Sequence, residues 1–169
     1  ALPISVAAAM EANVVQNAYG YHDAQGNFVD QSGRTGYGLT MTWNGLKSDP
    51  DNGVVVNLNT AYMDASNEKD FTTGVNALWR RFELGYIYAH NKISDYAGVI
   101  CDNDCWIKDE GTYNIHTIHA SYQIPNVMNM QNFNIYLGAY YSILDSDDKL
   151  SQSDDDDRYG ARLRFKYFF

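Results

Sequence analysis

Residues 158–169 of the chain read RYGARLRFKYFF. Every second position back from Phe169 is apolar or aromatic: Tyr167, Phe165, Leu163, Ala161 and Tyr159. The positions between them carry Lys166, Arg164, Arg162 and Arg158, with Phe168 and Gly160. Side chains of a β-strand alternate between two faces, so this segment is a strand with one greasy side and one basic side. Exposed to water, such a strand would template aggregation. A closed sheet in which the last strand pairs with the first leaves no edge and no unsatisfied backbone, and lipid around it accounts for the apolar stripe.

The same period-two pattern recurs along the chain, with little helical periodicity. It predicts strands over 5–22, 36–47, 54–65, 71–80, 82–96, 112–125, 132–144 and the closing segment. In the second, Tyr37, Leu39, Met41 and Trp43 oppose Gly38, Thr40, Thr42 and Asn44. In the seventh, Phe133, Ile135, Leu137, Ala139, Tyr141 and Ile143 oppose Asn134, Tyr136, Gly138, Tyr140 and Ser142. The polar face is built from Asn, Thr, Ser and Gly. The outer face of a water-soluble sandwich would carry many Lys and Glu instead, and this chain has few there. The expected fold is therefore all-β: a single domain over 1–169, a closed antiparallel eight-stranded transmembrane barrel of up-and-down topology, with ten strands the alternative count.

Composition agrees. The chain of 169 residues has 14 Tyr, 7 Phe and 3 Trp, which suits aromatic girdles at two membrane interfaces. No run of apolar residues is long enough for a spanning helix. The net charge of −9 argues against nucleic acid as a partner, because phosphate binding needs a basic face. The opening ALPISVAAAM lacks a basic n-region and reads as a mature N-terminus.

The predicted connections alternate in length. Those after the first, fifth and seventh strands are long, and the one after the third, SNEKD, is short. The other three are SDPDNG, a tight passage at Arg80–Arg81, and NVMNMQ. All but four of the 21 acidic residues (Glu11, Asp49, Asp51 and Glu83) lie in or beside the first set. Short turns on the periplasmic side and acidic loops outside is the expected orientation, with both termini periplasmic.

Leu163, Phe165, Tyr167 and a C-terminal Phe169 at alternating positions make the chain resemble bacterial outer-membrane β-barrels. In length and strand count it is most similar to the small eight-stranded Gram-negative kind, such as OmpX and the transmembrane part of OmpA. The resemblance implies that these four residues form the signal read by the barrel-assembly machinery. It also implies integral residence in the outer membrane, with lipid and lipopolysaccharide as surroundings. An extracellular or periplasmic protein partner stays open.

Several residue groups could carry chemistry. Glu11, Arg80, Arg162, Arg164 and Lys166 read as a lumen charge cluster, because charges inside a narrow barrel must pair. A structural plug is the first reading of that cluster, and an anion-tuned constriction the second. HTIHAS holds His116, His119 and Ser121, and a His two residues before a Ser resembles lipid A deacylases of the PagL kind. No Glu follows residue 110, however, so the orienting acid must come from elsewhere. Asp154, Asp155, Asp156 and Asp157 suit weak binding of Ca²⁺ or Mg²⁺, without the spacing of an EF-hand. Cys101 and Cys105 are close enough in sequence for a local disulfide in an oxidising compartment. No catalytic residue, cofactor or specific metal site is expected. The leading expectation is a non-catalytic barrel with a side-chain-filled polar lumen and a structural or surface-interaction role. The alternative is a narrow porin-like channel for small, anionic solutes, and the third a lipid A-modifying hydrolase.

Overall fold

The computed structural model describes residues 3–12, 20–22, 28–30, 33–65, 68–93, 111–146 and 155–167. These form β1 (Ile4–Ala12), β2 (Gly20–His22), β3 (Phe28–Asp30), β4 (Thr35–Asn44), β5 (Val54–Ala65), β6 (Glu68–Trp79), β7 (Phe82–Ile93), β8 (Gly111–Ile124), β9 (Phe133–Ser146) and β10 (Asp155–Tyr167). Eight of them make one antiparallel up-and-down sheet in the order β1-β4-β5-β6-β7-β8-β9-β10. The remaining two, β2 and β3, pair with each other as a separate short hairpin. The segment read from sequence as the end of a first strand, 5–22, is thus divided: β1 stops at Ala12 and Gly20–His22 belongs to that hairpin. Likewise Asp155–Asp157, expected in a loop, already lie within β10.

Ladder pairing sorts the side chains into two faces. One carries Val6, Met41, Leu58, Val75, Tyr86, Ile118, Tyr141 and Tyr159 in a single cross-sheet row. The other carries, one residue along, Ala7, Thr40, Asn59, Gly74, Ile87, Thr117, Ser142 and Arg158. Among the described residues only Ala65 and Ile93 are buried hydrophobics, so no core packs against the apolar face. Leu84 is 61% exposed and Phe82 57%. In water each such side chain would forgo about 1.5–3 kcal/mol of burial free energy. That many exposed on one face identifies it as the lipid-facing surface of a spanning sheet.

The apolar band also records strand tilt. At the end nearer the long connections it stops at Tyr62 in β5, before Asp64, and at Tyr159 in β10, before Asp157. Following the ladder from Tyr159 through Tyr141, Ile118, Tyr86 and Val75 leads to Leu58, four residues short of Tyr62 (62 − 58). Four residues over five strand spacings correspond to a tilt of about 30°, near the range that barrel strands adopt. Trp43, Trp79, Phe82, Tyr122 and Phe165 edge the band at its other end. There the Phe82 and Tyr122 rings lie 4.7 Å apart, and those of Phe133 and Phe165 6.4 Å.

Three tight turns join the strands at this second end. After β4, the Asn44 side chain accepts from Leu46 N–H, and Asp49 Oδ1 accepts from Asp51 and Asn52 N–H at 3.2 and 3.0 Å. Gly45 and Gly53 meet backbone to backbone: a Cβ on Gly53 would stand 2.4 Å from the Gly45 carbonyl. Gly53→Ala is therefore expected to cost about 1–3 kcal/mol, measured by urea-driven unfolding in detergent. The passage at Arg80–Arg81 is a two-residue turn between the paired Trp79 and Phe82. Arg80 takes a left-handed φ of 55° without being glycine. Its guanidinium lies 5.0 Å over the Trp79 ring and donates to Asn52, contacts that hold the strained residue.

Among the described residues no ladder joins β1 to β10, which stand at the two ends of the strand order. All nine residues of β1 are exposed.

Candidate pore-lining face

The polar face is a lattice of short uncharged side chains. Thr42 donates to Asn57 Oδ1 at 2.8 Å, and Thr40 donates to Asn59 Oδ1 at 3.0 Å. The Thr117 and Ser142 hydroxyls lie 2.8 Å apart. Near the turns, Gln123 donates to Asn134, which in turn donates to the Asn132 carbonyl. Apart from the local Asn134–Asn132 bond, each pair spans neighbouring strands on one face, where cross-strand side chains lie closest. The bonds hold the residues upright and leave amide and hydroxyl groups facing an open concavity of about 510 Å³, lined by Thr40, Asn59, Asn76, Glu83 and His119 among others.

Glu83 is the charged centre of this lattice. Its carboxylate accepts from Asn76 Nδ2 at 2.6 Å and from Ser121 Oγ at 3.0 Å, with His119 Nε2 at 3.7 Å. Three strands, β6, β7 and β8, are clamped by one acid. Sequence reasoning counted Glu83 only as an acid outside the loops. The missed signal was its place: an acid directly after a turn, on the Thr/Asn/Gly face, in ladder register with Ser121. This arrangement also bears on the hydrolase reading. The acid that HTIHAS lacked is present, but the Ser121 hydroxyl donates to Glu83, whereas an activated serine gives its proton to a histidine. His116 falls on the other face, where Nδ1 meets the Tyr86 hydroxyl at 2.7 Å.

The proposed charge cluster is dispersed. Arg162, Arg164 and Lys166 do lie on the polar face of β10, with Arg158 above them. Glu11 lies on the polar face of β1, but at the long-connection end, beside Arg34 and Asp70 around a second concavity. Arg162–Lys166 occupy the turn-end half of β10, and β1 and β10 sit at opposite edges of the sheet. Glu11 makes no ion pair with Arg162 or Arg164, because depth counted from the chain ends ignored where β1 stops. Arg80 is in the β6–β7 turn, packed on Trp79, and lies outside the polar lattice altogether.

Leu163, Phe165 and Tyr167 lie on the lipid-facing side as expected, while Phe169 falls outside the described residues. So do Cys101, Cys105 and Asp154. Asp157 accepts from the Tyr141 hydroxyl at 2.8 Å. Among the described residues no group of three His, Cys, Asp or Glu side chains is placed to hold a metal ion, and no helix is long and apolar enough to cross a membrane.

Compared with known proteins, residues 2–169 match a family model described as porin-like glycoporin RafY. No curated protein and no solved structure matches the chain. The match is to a porin-like family and not to the OmpX kind that chain length and strand number had suggested.

Proposed function

This chain belongs to the porin-like glycoporin RafY family, and from that premise we propose that its sheet is part of the wall of an outer-membrane channel whose polar face lines a water-filled path for small hydrophilic solutes. The carrying observation is the contrast between faces. Large apolar side chains are exposed on one, while the other presents Thr40, Asn59 and Asn76 around an open concavity, with Thr42 and Asn57 half-buried beside them. Amides and hydroxyls held upright exchange hydrogen bonds with passing hydroxyl groups at little reorganisation, and none of these five carries a charge that would bind a solute too tightly to leave. The word glycoporin in the family description points to saccharides as the solute class, which this lattice suits chemically. A family of channels also makes a non-enzymatic role the simpler reading, and the Ser121–Glu83 bond favours the same conclusion.

Closure is required of any such wall, since lipid offers no partner for the free backbone groups of β1 and β10. Reconstitution in planar bilayers tests the proposal. Steady single-channel steps, together with saccharide uptake into liposomes, are the expected result. A folded protein that gives neither would overturn it and return the side-chain-filled barrel with a structural role. Within a conducting pore, Glu83→Gln is expected to keep the Asn76 and Ser121 contacts but shift ion preference toward anions. Glu83→Leu breaks the clamp and should cost about 1–3 kcal/mol of stability, measured in the same detergent unfolding assay.

A further inference from the structure

At the long-connection end of the lipid-facing side, β6 and β7 place two lysines directly opposite each other: Lys69 pairs with Lys92 in the ladder. Both share a face with Phe71 and His90, the next pair inward, and with Tyr62 and Val75 beyond. They therefore stand immediately outside the apolar band, where headgroups begin. Like charges directly opposite on neighbouring strands repel, and among the described residues an acid answers only one of the two. Lys69 Nζ lies 3.7 Å from Asp64 Oδ2, with both side chains about half exposed. Lys92 is exposed and makes no ion pair among the described residues.

We infer that Lys69 and Lys92 form a rim site for the phosphate of an anionic membrane lipid. An anion between two facing ammonium groups turns their repulsion into attraction, and each lysine near a charged headgroup layer adds favourable electrostatic free energy. The neighbouring positions fit this partner. Thr112, level with Lys92 on β8, brings a hydroxyl, and the Phe71, Tyr88 and Tyr62 side chains below it provide an apolar wall for acyl chains. Asn114 accepts from both Tyr88 (2.9 Å) and His90 (2.8 Å), so these interfacial polar groups already have partners and leave Lys92, with the partly engaged Lys69, to meet the anion. The site lies on the face opposite the proposed solute path and is independent of whether that path conducts.

The full chain, folded in a non-ionic detergent, would be titrated with bisphosphorylated lipid A and with the same lipid stripped of its phosphates, and retained lipid read by native mass spectrometry. Retention of the phosphorylated form, falling roughly tenfold in K69Q/K92Q and unchanged in Lys47→Gln at the other end of the sheet, is the expected result. Equal retention of the dephosphorylated lipid, or full retention by the double variant, would overturn the inference. So would inorganic phosphate at equal concentration displacing the lipid completely, which would mark a free-anion site. Should K69Q/K92Q fail to show heat-modifiable migration of a folded barrel, Lys92→Gln alone serves, because Lys92 makes no ion pair among the described residues.

Discussion

Val75→Arg is expected to prevent stable insertion of the folded chain, lowering unfolding free energy by about 2–4 kcal/mol, the cost of a cation at the middle of the lipid-facing side. Val75 lies midway along β6 between Phe71 and Trp79, exposed at the centre of the apolar band. A guanidinium there stands four residues from both Phe71 and Trp79 along the strand, and its ladder partners are Leu58 and Tyr86. Asn59→Arg, on the polar face of β5, is the matched control and should cost under about 0.5 kcal/mol. Equilibrium unfolding in lipid vesicles compares the two. Equal losses would mean that the faces have been assigned the wrong way round.

Arg162→Glu with Arg164→Glu is expected to reverse the ion preference of the pore, changing the anion-to-cation permeability ratio roughly tenfold or more. A unit charge about 4 Å from a passing ion is worth about 1 kcal/mol even at the dielectric of water, and reversing two charges doubles the effect of removing them. Both side chains are exposed on the polar face of β10, in a strip with Arg158 and Lys166. The measurement is the reversal potential across a salt gradient in planar bilayers. High salt should shrink the difference as screening shortens the reach of each charge. An unchanged reversal potential in a conducting variant would place β10 away from the ion path.

How far the sequence could be read depended on what each feature needs. Alternation is a local property, so β5 at 54–65 and the start of β7 at Phe82 were legible to the residue. Even the turn at Arg80–Arg81, which has no Gly, Asn or Pro, was placed correctly because the apolar period restarts there. The reach of β10 back to Asp155 was not legible, since consecutive aspartates carry the signature of a loop and only pairing with Leu144 and Asp145 makes them strand. The hairpin of β2 and β3 was hidden in the same way inside a stretch that looked like one strand and one loop. Arg162, Arg164 and Lys166 could be placed on the polar face of β10 because they alternate with aromatics. Glu83 and the Lys69–Lys92 pair were missed because their meaning lies in partners 38 and 23 positions away.

By itself, the order of residues determined that this protein is a sheet with one oily and one hydrophilic side, and that the oily side belongs in lipid. Period-two patterning of hydrophobicity dictates both, whatever the neighbours. Only the tertiary structure decided which strand lies beside which, that Glu83 ties three of them together, and that Glu11 stands at the long-connection end while Arg162 and Arg164 stand nearer the turns. Register, tilt and curvature arise from hydrogen bonds between segments distant along the chain, and no single strand carries that information.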